Sequence, residues 1–133
     1  MSRQVFLSRQ SKDEIHSHAL YEMPYECCGF LAGKYSNHVL QTYKLHNIHK
    51  NSAKFRISDQ EFQSVGSKVL SDGFSILGIY HSHPYGSPCI SETDIKGMTF
   101  DGIAIVVGLG GEQEMSAYEI SGERAHQLKL IVR

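Results

Sequence analysis

The sequence predicts a mixed α/β (α+β) domain, in which helices flank a mixed, largely antiparallel β-sheet, and three observations lead there. Short apolar runs of strand length, separated by turn residues, are spread from Val5 to Val132. Serine followed three residues later by an acidic residue recurs at Ser11-Lys12-Asp13-Glu14, Ser58-Asp59-Gln60-Glu61 and Ser91-Glu92-Thr93-Asp94, a form that opens helices. The strands and helices so marked do not alternate regularly, which argues against a sheet of repeated βαβ units.

Taken in order, Val5 to Leu7 reads as a short first strand, and the Ser11 capping box opens a helix through about Tyr21, stopped near Pro24, with Ile15, Ala19 and Leu20 on its apolar face. Cys28 to Gly33 and His38 to Tyr43 flank the polar turn Lys34 to Asn37 as a hairpin. Phe55 to Ile57 reads as a further short strand. The Ser58 box then opens a helix in which Phe62, Val65, Val69 and Leu70 recur at helical spacing until Ser71-Asp72-Gly73 ends it. Ile76 to His81 is an apolar strand, followed by a loop with Pro84, Gly86 and Pro88 and by the third helix start at Ser91. Ile103 to Leu109 is the longest apolar run and so a central strand, and Ser116 to Ile120 and Leu128 to Val132 complete the sheet.

No repeat, low-complexity tract or linker interrupts the 133 residues, which are read as one domain spanning 1–133. Thirteen basic against 14 acidic side chains leave a formal charge of -1, which argues against a nucleic-acid binder working by phosphate neutralisation. No run approaches the roughly 18 apolar residues that span a bilayer, and Met1 to Ser8 lacks the apolar stretch of a signal peptide, so the expected location is cytoplasmic, with no membrane partner. Cys27, Cys28 and Cys89 cannot all pair and the first two are adjacent, so reduced thiols are expected.

The chemistry concentrates in His81-Ser82-His83-Pro84, followed after six residues by Ser91-Glu92-Thr93-Asp94. Histidines at i and i+2 of an extended chain point to one side, where both imidazoles can meet one metal ion. Asp94, in the first turn of a helix after a constrained loop, can fold back as a third ligand. Three protein ligands leave the fourth tetrahedral position to water, the pattern of a catalytic zinc. A carboxylate is then needed to take a proton from that water; Glu26 in Pro24-Tyr25-Glu26-Cys27-Cys28-Gly29 is the candidate, although spacing alone does not separate it from Glu14, Glu22 or Glu92.

With these residues in register, the chain resembles the JAMM, or MPN-plus, zinc metalloproteases of the Mov34/MPN/PAD-1 family, in their small stand-alone prokaryotic type. The resemblance implies a cytidine-deaminase-like JAMM core. It also implies His81, His83 and Asp94 as ligands of one zinc, Glu26 as general acid/base, and Ser91 as a donor to the oxyanion. The activity implied is hydrolysis of a peptide or isopeptide bond after the C-terminal Gly-Gly of a ubiquitin-like or sulfur-carrier protein. Two departures stand out: Ile90 occupies a place where the family commonly has proline, and the thiol of Cys27 abuts the expected base.

Blander roles exist for each residue. Ser91 and Asp94 suit a capping box, and Cys89 reads as a small, partly buried filler rather than a fourth ligand. His46 and His49 read as solvated loop residues, His16 and His18 do not face one another on a helix, and His38 and His126 have no visible partner. Phe55, Tyr80 and Tyr85 either line a substrate groove or belong to the core. A nucleobase deaminase is excluded because residue 92 is Glu, where a second cysteine would be required. The alternative function is a non-catalytic MPN-type interaction domain, and an uncovered sheet edge would allow a homodimer.

Overall fold

The computed structural model describes residues 3–111 and 114–133. Among them the elements run β1 (Gln4–Leu7), α1 (Arg9–Glu22), β2 (Cys28–Gly33), β3 (His38–Val39), β4 (Gln41–Leu45), α2 (Asp59–Ser71), β5 (Ser75–His83), α3 (Glu92–Gly97), β6 (Gly102–Gly108), β7 (Met115–Ser121) and β8 (Arg124–Val132). The strands form one mixed sheet in the order β3-β1-β8-β7-β6-β5-β2-β4. β1 pairs in parallel with β3 and β8, and β5 in parallel with β6; the remaining pairs are antiparallel.

β3 and β4 lie at opposite ends of that order, yet only Leu40 separates them in the chain. The sheet therefore curls until its two edges nearly meet. α1 fills the curl: Ile15 and Ala19 pack with Val5, Leu31, Val39, Tyr80, Ile105, Ala117 and Leu128, contributed by strands all round it. The other face is covered in two places. Phe62, Val65 and Val69 of α2 pack on Phe30, Ala32 and Ile79, while Ile90, Ile95 and Met98, in and beside α3, pack on Ala104, Val106, Tyr118 and Ile120. With both faces covered, β6 is buried along Ile103 to Gly108, as its unbroken apolar run predicts.

Several boundaries differ from the sequence reading, each for a local reason. Helix α1 begins earlier because Ser8, where β1 ends, is its N-cap; its hydroxyl accepts the Ser11 N–H at 3.1 Å, while Ser11 itself is buried inside the first turn. Leu20 is exposed and His18 takes its place on the buried face, where its imidazole finds the Tyr80 hydroxyl. The segment His38 to Tyr43 is not one strand, since the chain crosses from one sheet edge to the other at Leu40. Phe55 to Ile57 is not a strand either: Asn47 holds that segment as a loop, its side chain accepting the Arg56 N–H at 3.0 Å and donating to the Lys54 carbonyl at 3.1 Å. The Ser58 and Ser91 helix starts are present as predicted. No helix among the described residues is long and apolar enough to cross a membrane.

Candidate metal centre

Strand alternation places His81 and His83 on the outer face of the sheet, with Ile79, while Tyr80 and Ser82 face the curl around α1. From the far side of a ten-residue loop and turn, α3 returns Asp94 to the same spot. Its Oδ2 lies 3.2 Å from His81 Nε2 and 3.0 Å from His83 Nε2, and the two Nε2 atoms are 3.3 Å apart. Among the described residues these three form the group able to offer converging ligand atoms to one ion.

The protons assign the purpose of this triangle. His83 Nδ1 is 2.8 Å from the Ser87 carbonyl oxygen, which can only accept, so Nδ1 carries the hydrogen and Nε2 of the neutral ring presents a lone pair. A lone pair aimed at a buried carboxylate oxygen is repulsive unless a proton or a cation lies between them. Zinc bonds of about 2.0–2.1 Å in tetrahedral geometry put ligand atoms about 3.3 Å apart, close to all three edges here. The residues fit a zinc ion. Burial opposes the charge on Asp94, but without an ion, protons on the two Nε2 atoms let both histidines donate to it, and these bonds with that from the Ser91 N–H hold the carboxyl well below the usual range. For His83 burial again opposes charge, and Asp94 outweighs it, so its pKa is raised.

Ser91 is held by a reciprocal capping box: its hydroxyl accepts the Asp94 N–H at 3.1 Å, and its own N–H donates to Asp94 Oδ2 at 3.0 Å. The structural role expected of the pair is thus present, and it orients the carboxylate. The loop before it is pinned by Tyr118, whose hydroxyl donates to the Pro88 carbonyl at 3.0 Å and lies 3.4 Å from the Ile90 N–H. A proline at 90 would offer no such donor. Cys89, between these two pinned residues, is exposed, which corrects the expectation of a partly buried filler.

Glu26 ends up on this face as well, two residues ahead of Cys28, which stands opposite His81 in the β2/β5 register. It is 2% exposed, and its Oε1 has no hydrogen-bond partner among the described residues. Burial first, and the charge of Asp94 second, push its pKa up to about 8, with His83 opposing. Its main chain is fixed on both sides, the N–H donating to the Asn51 carbonyl at 2.8 Å and the carbonyl accepting from the Asn47 side chain at 3.1 Å. Cys27 beside it is buried, and burial pushes its thiol up to about 12, so it stays protonated. All three cysteines are free, as expected.

Phe55 lies against His81, ring centroids 4.9 Å apart, and forms one wall of a cavity of about 480 Å³ lined also by His49, Arg56, Phe62 and Ile79. Tyr80 belongs to the core and Tyr85 is exposed, so of the three aromatic candidates for a groove the structure brings Phe55 to the cluster. A larger cavity of about 580 Å³, lined by Arg3, Glu119, His126 and Lys129, shares no residue with it. His46 bonds to Glu61 at 2.6 Å and His16 to Glu114 at 2.9 Å, and His38 stacks on Phe6. The supporting residues Asn47, Asn51, Ser82, Ser87 and Tyr118 escaped the sequence reading. Only the two asparagines leave a local trace, as each side chain accepts the N–H two residues on, at His49 and Ala53.

The chain is similar to known proteins over nearly its whole length. Residues 8–121 match the family described as prokaryotic homologs of the JAB domain. Over 98% of both chains the sequence is 27% identical to a protein of Haloferax volcanii named desampylase. It is 33% identical to a probable TtuB-protein conjugate cleaving protease of Thermus thermophilus, over 69% of this chain and 62% of that one. The solution structure of protein DSY2949 from Desulfitobacterium hafniense superposes with a TM-score of 0.86 at 21% identity, covering 98% of this chain and 93% of that one.

Proposed function

Because this chain belongs to the family of prokaryotic homologs of the JAB domain, we propose that it is a JAMM-type isopeptidase acting on ubiquitin-like protein conjugates, with one zinc ion held by His81, His83 and Asp94 and Glu26 as its general acid/base. The bond cut is the amide that follows the carrier's C-terminal Gly-Gly. One relative is named a desampylase and another a protease of TtuB-protein conjugates, which supports the substrate class. The observation that carries the reading is Glu26 itself: a buried carboxyl with an unpartnered oxygen, on the face where three lone-pair atoms converge.

When bound, zinc supplies a Lewis acid that polarises the scissile carbonyl and acidifies water. The chain's own residues do the rest. Glu26 takes a proton from the attacking water at its carboxylate and passes it to the departing amine nitrogen. Asp94 and the histidines stay fixed through this exchange, since Ser91 and Ser87 hold two of them by hydrogen bonds. The Ser91 hydroxyl, whose proton is uncommitted among the described residues, donates to the carbonyl oxygen as charge develops there. A Gly-Gly tail suits a cavity walled by Phe55 beside His81, because a segment without side chains lets its backbone approach closely.

The test combines elemental analysis with cleavage of a conjugate whose carrier ends in Gly-Gly. Wild type purified without added zinc should carry about one zinc per chain, and His83→Ala and Asp94→Ala should lose it together with cleavage. A folded wild type that stays empty after zinc is supplied, or that holds zinc and cuts no glycine-tailed conjugate, would instead mark an MPN-type interaction domain.

A further inference from the structure

Ser82 sits between the two histidines, points to the opposite face, and is fully buried. Its surroundings show an irregular end to the β2/β5 ladder. Cys28 pairs with His81 and Gly29 with Tyr80, so the next pair in register is Cys27 with Ser82. Half of that pair is ordinary: the Ser82 N–H donates to the Cys27 carbonyl at 3.2 Å. The other half is not. In the regular ladder the Cys27 N–H would donate to the Ser82 carbonyl; here it donates to Ser82 Oγ at 2.8 Å.

We infer that Ser82 is a positioning residue for the reaction, its hydroxyl holding the chain that carries Glu26 at a fixed offset from the strand that carries His81 and His83. The substitution of a side-chain oxygen for a main-chain one lets the chain leave the ladder at Cys27 without leaving a buried N–H unpaired. That departure point is one residue from Glu26. On the far side, Asn51 and Asn47 hold the Glu26 main chain from the 47–56 loop. Those bonds set its height above the sheet, and the Ser82 bond ties it to the ligand strand. Since the same three-residue run supplies both histidines and the tether, a displacement of β5 moves ligands and base together.

Serine suits this position on physical grounds. Alanine would leave the Cys27 N–H buried without a partner, and the chain would relax by drawing Cys27 back towards the ladder or away from it, taking Glu26 with it. Threonine keeps the oxygen, and valine has threonine's shape without it, so the two separate hydrogen bonding from packing.

The inference rests on the isopeptidase reading, and the experiment separates the two. Ser82→Ala, Ser82→Thr and Ser82→Val are compared with wild type in zinc-free and zinc-loaded form. Zinc-free protein reports on the tether alone, through hydrogen exchange of the Cys27 amide and through the slow reaction of the buried Cys27 and Cys28 thiols, with exposed Cys89 as the fast internal reference. Loss of the hydroxyl in alanine and valine variants should speed Cys27 exchange at least tenfold and accelerate the slow thiols, and threonine should keep both near wild type. With a glycine-tailed conjugate, the alanine and valine variants should lose about 10- to 100-fold in kcat, with KM within about twofold and one zinc per chain retained.

Unchanged Cys27 exchange in the alanine variant would overturn the tether. Faster exchange with wild-type kcat would overturn its role in positioning Glu26, as would equal loss in the threonine and valine variants. If wild type cuts no conjugate, the isopeptidase reading falls, and with it the catalytic part of the inference; the exchange data then decide the tether by themselves.

Discussion

Gly29 stands directly across the sheet from Tyr80, and the Tyr80 ring lies over it so closely that any Cβ at 29 would enter the ring. Beyond the glycine, the Tyr80 hydroxyl meets His18 Nδ1 of α1 at 2.7 Å. The missing side chain is thus what lets β5 reach the helix inside the curled sheet. Gly29→Ala is expected to destabilise the protein by about 2–3 kcal/mol, because the ring is buried and has nowhere to go. Urea unfolding checks it. Combined with Tyr80→Leu the cost should be well below the sum of the two single changes, and simple additivity would show that the ring is not what the new methyl meets.

The burial of His18 also makes stability depend on pH. Burial first, then the nearby charges of Lys44 and His46, push His18 down to about 4. In the unfolded chain it titrates near 6.5, so between those values the unfolded state binds the proton more readily. Stability from the neutral His18 is therefore complete above about pH 6.5 and is lost as pH falls towards 4, by at most about 3 kcal/mol. His18→Gln, which can still accept from Tyr80, should flatten that window in urea titrations at pH 7 and 4.5. An unchanged difference between the two pH values would remove His18 from the effect.

Glu26→Gln should keep about one zinc per chain and lose 10²- to 10⁴-fold in kcat for a glycine-tailed conjugate, the usual range for a proton-transfer group. Its raised pKa also has a consequence for zinc-free protein. A carboxyl whose folded pKa lies above its unfolded value favours the fold while protonated and costs stability as pH rises through the folded pKa near 8. Zinc-free Glu26→Gln should then unfold at higher urea than zinc-free wild type at pH 8, and at about the same urea at pH 4. Normal turnover by the variant would take Glu26 out of its role.

Tyr118→Phe removes the hydroxyl that accepts from Ile90 and donates to Pro88, and with it the pin on the loop that orients His83 and leads to Ser91. Zinc affinity measured by competition with a chelator should fall about 10-fold, at the mild end for groups that support metal ligands. The global cost should be about 1 kcal/mol. Wild-type affinity in the variant would mean that the loop holds its shape without Tyr118.

Local signals carried most of the fold and the reactive cluster. Ser91 forms both bonds of its capping box and Ser58 one, accepting the Glu61 N–H while the Glu61 carboxylate turns to His46, and the buried run of β6 is where an unbroken apolar stretch belongs. His81, His83 and Asp94 converge because two-residue alternation and a helix start are both local rules. Residues that act across the chain were not legible. Leu40 looks like any strand residue, and its role as the crossing point depends on where β1 and β2 lie. His18 looks polar, and only Tyr80, far along the chain, explains its burial. Phe55 to Ile57 reads as a short strand in the sequence, whereas Asn47 draws that segment into a loop beside His81.

The place of β1 in the sheet bears on how the chain is made. Gln4 to Leu7 pair along one side with Lys129 to Val132, and along the other with only His38 and Val39. A ribosome emits the first strand long before its main partner exists. Until residues 124–132 emerge, α1 has an incomplete wall around it and β1 an unsatisfied edge, so the nascent chain carries an adhesive stretch while the residues between the two strands are made. The strand β8 acts as the closing stave of the curl, and shortening it would be felt first in folding yield, at a distance from the cluster of His81, His83 and Asp94.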